Sequence, residues 1–155
     1  MNPHILSRRL VLGGAGIVLS SLFAPVLPCA ALATEALDFD ELYGSVGVLG
    51  LTFSEKVKAL SGRQVTMKGY MAPPLKAEAD FFVLTEIPMS ICPFCSSDAD
   101  WPDNIVVVYL ERAQTFEQAN ALIEVRGTLE VGSWTDPATG FVSLLRIVGA
   151  SLATA

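Results

Sequence analysis

Histidine is almost absent from this chain. His4 is the only one in 155 residues, so every later residue must do without an imidazole, the usual general base near neutral pH and a common metal ligand. Cysteine is scarce as well, with three in all: Cys29, Cys92 and Cys95. Positive charge is short, 10 Lys and Arg against 16 Asp and Glu, and no basic residue lies between Lys76 and Arg112. A surface of that balance repels phosphate backbones and anionic lipid, which argues against a nucleic-acid partner. No Ser/His/Asp set, glycine-rich phosphate loop or paired-carboxylate spacing stands out, and no catalytic residue can be named. The chain also lacks internal repeats and low-complexity segments.

What it has in excess is apolar residues, at 52%, and part of that excess is a targeting segment. Ser7-Arg8-Arg9-Leu10-Val11-Leu12 gives a basic start, and Leu10 to Ala33 contains no charged residue. Ala31-Leu32-Ala33 is the small-residue pattern that precedes signal-peptide cleavage. The paired arginines resemble a twin-arginine export signal, with Val11 where Phe is usual and Gly13 where Lys is common. Pro25 and Pro28 interrupt the apolar run, which favours a cleaved signal over a retained anchor. Cys29 follows Pro28 rather than a small residue, so it is expected to leave with the signal rather than to carry lipid. Cleavage after Ala33 leaves 122 residues (155 less 33) with eight Lys and Arg, a balance of −8, and only two cysteines. The expected location is the periplasm, with no stable membrane insertion once the signal is gone.

Residues 34–61 read as an N-terminal extension with a helical turn around Phe39 to Tyr43, a flexible connection through Gly44, Gly47 and Gly50, and a short helix from Phe53 to Ser61. Thr52 and Glu55 have capping-box spacing for that helix, Val57 and Leu60 mark its apolar side, and Gly62 marks its end. Residues 62–155 read as a mainly β domain. Val65 to Met71 alternates, Phe81 to Thr85 follows as the second arm of a hairpin, and Ile105 to Leu110 is continuous enough to be buried on both faces. Thr115 to Ala121 has a second capping-box spacing and reads as a helix. Ile123 to Val131 alternates cleanly, and after a turn with Asp136, Pro137 and Gly140 comes a last strand from Phe141 to Val148. Five strands with a helix between the third and fourth match a small OB-like barrel with one or two short helices.

Chemistry concentrates in Pro88-Met89-Ser90-Ile91-Cys92-Pro93-Phe94-Cys95. A glutaredoxin carries a similar Cys-Pro-aromatic-Cys, but places its first cysteine at the start of a long helix that lowers the thiol pKa. Here the following residues, Ser96 to Pro102, are too short and polar for that helix, and Asp98, Asp100 and Asp103 disfavour a thiolate. Three readings stay open. The flanks favour a Cys92–Cys95 disulfide that clips the loop; its small ring yields little loop entropy, so its value is local rigidity. The pair could instead hold a soft metal ion, copper or zinc, with Met89 or Met71 as a further sulfur; without histidine, a tetrahedral zinc site needs ligands from elsewhere. The third reading is thiol–disulfide exchange. Met67 and Met71 read more simply as core filler. Trp101 and Trp134 sit beside turns, where they would cover barrel ends or stack on a ligand. Glu111, Arg112 and Asp136 read as solvated surface.

The succession Leu60-Ser61-Gly62-Arg63-Gln64-Val65-Thr66-Met67-Lys68-Gly69-Tyr70-Met71-Ala72-Pro73-Pro74-Leu75, then Phe81-Phe82-Val83-Leu84, Cys92-Pro93-Phe94-Cys95 and Ile105-Val106-Val107-Val108, resembles a group of exported bacterial proteins with an OB-like barrel and a Cys-x-Phe-Cys loop. The resemblance runs from about Leu60 to Leu152. It implies fold and compartment and carries no reaction. The expectation is an exported accessory or binding module whose loop, through Cys92, Cys95 and Trp101, meets another exported or membrane protein. No cofactor beyond a soft metal ion is called for.

The N-terminus gives the first test. The exported protein should begin at Thr34 by N-terminal sequencing and intact mass, and an Arg8→Lys, Arg9→Lys chain should stay unprocessed; an exported protein that retains Met1 counts against the signal.

Overall fold

The structure is a computed structural model, and it describes residues 34–47, 50–73, 80–90, 97–112 and 121–155. Its elements are mainly strands: β1 (Glu35–Ala36), β2 (Tyr43–Gly47), β3 (Gly50–Phe53), the helix α1 (Glu55–Leu60), β4 (Gln64–Met71), β5 (Phe81–Thr85), β6 (Ile105–Leu110), β7 (Leu122–Thr135) and β8 (Val142–Thr154). Three-residue 3-10 turns stand at Phe39–Glu41 and Asp98–Asp100.

Alternation of side chains decides the sheet. In β4, Val65, Met67, Gly69 and Met71 are buried, and in β7, Ile123, Val125, Gly127 and Leu129 are buried, while the residues between them face outward. The two strands pair antiparallel from Gln64↔Thr128 to Tyr70↔Leu122. β4 also pairs β5, β5 pairs β6, β6 runs parallel to β8, and β8 pairs β7. The order β4-β5-β6-β8-β7, with β7 returning to β4, closes five strands into a ring. Ile105, Val106, Val107 and Val108 are all fully buried, as their unbroken apolar run leads one to expect. Met67 and Met71 are core residues, at 1% and 2% exposure.

Residues 34–61 are more ordered than their composition indicates. β1 adds to β4 in parallel, Glu35↔Val65 and Ala36↔Thr66, and Leu37, Phe39 and Leu42 enter the same core as the ring strands. The glycine-rich connection is a hairpin, β2 against β3. The Tyr43 ring stacks on Phe53, centroids 5.6 Å apart. Thr52 lies in β3, and Ser54 caps α1 in its place: its hydroxyl accepts from the Val57 amide at 3.1 Å and donates to the Glu41 carbonyl at 2.6 Å. Lys56 reaches Glu41 at 2.6 Å, tying α1 to the 3-10 turn. Gly62 follows α1 at φ +77°, a conformation that favours glycine.

β7 and β8 run past their expected ends at Val131 and Val148. The two strands carry each other there, with Trp134↔Ser143 and Thr135↔Val142 near the turn and Ser151 to Thr154 opposite Arg126 to Ile123, so pairing continues where hydrophobic alternation has stopped. Of the helix expected over Thr115–Ala121, all but Ala121 lies outside the described residues.

Closure demands two backbones without side chains. A Cβ on Gly127 would lie 2.7 Å from Ile147 Cγ2 and 2.8 Å from the Val148 carbonyl, and one on Gly69 would lie 2.7 Å from the Thr85 carbonyl. Gly127→Ala should therefore cost about 1–3 kcal/mol in chemical denaturation, the range for overpacking. Gly47→Ala, whose Cβ would meet nothing within 4 Å, should stay within about 0.5 kcal/mol of the parent; equal effects would count against close approach at Gly127.

Candidate functional site

Two neighbouring features remain after the core is accounted for: the loop that carries the cysteines, and a groove over β6, β7 and β8.

The loop between β5 and β6 is closed at its neck and pinned near its exit. The Glu86 amide donates to the Asn104 carbonyl at 3.2 Å. Beside it the buried Thr85 hydroxyl lies 3.1 Å from the Tyr70 carbonyl and 2.7 Å from the Ile87 carbonyl. Further along, Ser133 Oγ donates to Asp98 at 2.5 Å, tying the 3-10 turn to β7. Trp101 is 5% exposed, and its indole Nε1–H donates to the Tyr43 hydroxyl at 2.7 Å. Burial pushes the Tyr43 hydroxyl up to about 12, against the lowering effect of the Trp101 bond. Trp101 is thus a core anchor that joins the loop to the β2–β3 hairpin. Met89 is half-buried within the loop. Cys92 and Cys95, with residues 91–96 as a whole, lie outside the described residues. Among the described residues no cluster of three or more His, Cys, Asp or Glu side chains is placed to hold a metal. An acidic hollow of about 290 Å³, lined by Phe39, Asp40, Tyr43, Glu86 and Asp103, opens beside the loop neck.

The groove, of about 340 Å³, is lined by Tyr109, Glu130, Trp134, Arg146 and Val148. Register builds it. Arg146 on β8 stands opposite Glu130 on β7 and beside Val107 on β6. Its side chain is nearly buried, with Nε 3.2 Å from Glu130 Oε2, and Nη1 2.8 Å from the Gly132 carbonyl and 3.2 Å from both oxygens of Ser143. A bulge between Val131 and Trp134, with Gly132 at φ +120°, shifts the register by one residue there. The Arg146 guanidinium carbon lies 5.4 Å from the Trp134 ring centroid, a cation–π contact. Tyr109 meets Trp134 edge to face, centroids 5.5 Å apart at 84°, and Phe81 stands 5.2 Å from Tyr109 and 5.4 Å from Phe141. Trp134 remains 39% exposed.

Asp136 corrects the sequence reading. Rather than solvated surface, it is 8% exposed and organises the β7–β8 turn. Its Oδ1 accepts from the Ala138 amide at 3.1 Å and from the Thr139 amide and hydroxyl, each at 2.8 Å, while Oδ2 accepts from the Tyr109 hydroxyl at 3.1 Å. Burial alone would raise its pKa. The Thr139 hydroxyl and amide, then Tyr109 and the Ala138 amide, outweigh it and hold the carboxyl below its ordinary value. Tyr109 is pushed well above the phenol range, chiefly by burial and then by the Asp136 charge. Arg146 was also missed, although one signal was present: it is the sole charge in an apolar strand, which a Glu in the partner strand can satisfy.

A crystal structure of a DUF3299 family protein from Pseudomonas aeruginosa PAO1 is similar to this chain over 79% of its length and 97% of that protein's, with a TM-score of 0.53 and 14% sequence identity. The likeness is one of fold. No family model and no curated protein matches the chain. Fold alone assigns no activity.

The Asp136 arrangement has a pH signature. A carboxyl whose folded pKa is depressed stabilises the fold above its unfolded pKa, near 4, and loses that contribution as pH falls through the folded value. Asp136→Asn keeps an acceptor for the turn amides but removes the charge. Thermal denaturation should show it less stable than the parent at pH 7, with a smaller further loss between about pH 4 and pH 2; parallel acid profiles would exclude Asp136 as a contributor.

Proposed function

We propose that this protein is an exported, non-enzymatic accessory module built on an OB-like barrel, whose cysteine loop forms a rigid rim for another exported or membrane protein. The observation that carries this reading is the held loop: a hydrogen-bonded neck at Glu86–Asn104, an exit tied through Asp98 to Ser133, and Trp101 locked into the core on Tyr43. Fixed ends lower the ordering cost of binding through the segment between them, which is what a docking rim needs. The barrel reading draws on the closed strand order with β6 parallel to β8, the arrangement of a five-stranded Greek-key barrel. Export rests on the twin-arginine-like start, and β1 begins at Glu35, two residues beyond the expected cut after Ala33. In an oxidising compartment Cys92 and Cys95 close as a disulfide that stiffens the apex.

Thiol titration of the exported protein with and without reductant, metal analysis of the same sample, and the Cys92→Ser, Cys95→Ser variant decide the matter. A complete disulfide that exchanges slowly with glutathione, no bound metal, and a variant that folds but no longer retains the partner held by the parent would support the rim. Rapid exchange would replace it with a thiol oxidoreductase. A stoichiometric copper or zinc ion, lost in the variant, would replace it with metal binding or delivery, with Met89 as the next sulfur to test.

A further inference from the structure

The groove over β6, β7 and β8 has a composition that narrows its ligand, independently of the cysteine pair. It contains one cation and one anion, already engaged with each other: Arg146 Nε and Glu130 Oε2 stand 3.2 Å apart. An anionic ligand would have to displace Glu130 while facing a mature surface with eight more acidic than basic residues. A cationic ligand would meet a Trp134 ring that Arg146 already occupies at 5.4 Å, and two cations sharing one ring repel each other. A purely apolar ligand would strip water from the Glu130 carboxylate, which is 47% exposed, without replacing its hydrogen bonds.

What remains is a neutral molecule with an apolar C–H face for Trp134 and hydroxyl donors for Glu130. We infer that the groove formed by Tyr109, Glu130, Trp134 and Arg146 binds a neutral saccharide. Trp134 supplies the stacking surface. Tyr109 packs on that indole at 84° and leaves it 39% exposed, and its own hydroxyl is committed to Asp136, so the platform is set before any ligand arrives. Glu130 has lone pairs left after its bond to Arg146 and accepts from sugar hydroxyls. At about 340 Å³ the groove is at the small end of ligand sites, which suits one or two sugar rings.

The test uses the exported protein labelled with ¹⁵N, titrated with maltotriose, cellotriose and N,N′-diacetylchitobiose, and in parallel with trigalacturonate and tetramethylammonium. The two indole N–H resonances report separately, since Trp101 is buried on Tyr43 and Trp134 is exposed. A neutral saccharide should shift the Trp134 resonance and leave Trp101 unmoved, and Trp134→Ala, with parental circular dichroism, should weaken binding about tenfold or more. Glu130→Gln should weaken it less, because an amide oxygen still accepts. The inference is overturned if no neutral saccharide shifts Trp134 at millimolar concentration, if trigalacturonate or tetramethylammonium binds in preference, or if Trp134→Ala binds as the parent does.

Discussion

Closure of the ring through β4 and β7 is the constraint on which the rest of the structure depends. Seven register pairs, Gln64↔Thr128 to Tyr70↔Leu122, join the first long strand to a strand more than fifty residues away. Without them β4 and β7 would both be edges, with rows of unpaired amides and carbonyls facing solvent. With them, Met67 stands beside Val125 and Val65 beside Gly127, and the buried face of β4 continues into that of β7. The pairing also places the chain's bends. Gly69 and Gly127 stand where a neighbouring carbonyl comes within 3 Å of the space a Cβ would take. Tight curvature and small residues are here one requirement, stated once as geometry and once as sequence.

The end of the β7–β8 hairpin follows from that curvature. β7 runs beyond the segment that β4 pairs with, and the outward residues near the turn meet other partners. They find them sideways: Tyr109 reaches from β6 to Asp136, Arg146 reaches from β8 to Glu130 and Gly132, and Trp134 rests between Tyr109 and Arg146. Among the described residues no buried side-chain nitrogen or oxygen lacks a hydrogen-bond partner. A polar set so fully satisfied is rigid, and rigidity rather than free charge is what it offers to a ligand.

How much of this was legible follows the physics of each signal. The five ring strands were readable because each buries alternate residues, or all of them, and burial is written directly in hydrophobic pattern. Their far ends were not, because Gly132 to Thr135 and Gly149 to Thr154 are held by ladder bonds that any backbone can make. The β2–β3 hairpin was hidden for a similar reason: Gly44, Gly47 and Gly50 carry no side chain to announce a strand, and only Tyr43 and Phe53 reveal a face. Ser54 displaced Thr52 as the helix cap because Thr52 was claimed by β3, a tertiary decision that local spacing does not see. Asp136 deceived for the opposite reason. Its turn chemistry was recognised, but the partner that buries it, Tyr109, lies 27 residues away. Of the candidate site residues, Cys92, Cys95 and Met89 stood out as chemistry and Trp101 as an aromatic beside a turn, while Trp101's use as an anchor to Tyr43 required the fold.

Charge placement follows the same habit of internal satisfaction. Of the seven Lys and Arg among the described residues, five stand in ion pairs: Lys56 with Glu41, Lys58 with Glu55, Lys68 and Arg126 with Glu124, and Arg146 with Glu130. Most are exposed and individually worth little to stability, yet each cancels a cation that could have met a phosphate. Meanwhile Asp40, Glu86 and Asp103 gather around Tyr43 beside the loop neck. Proteins that bind single-stranded nucleic acid use a positively charged groove that tracks its backbone. Five of the described cations are engaged by the chain's own carboxylates, and the exposed Trp134 ring stands next to one of those pairs, Arg146 with Glu130, so neither charge there acts without the other.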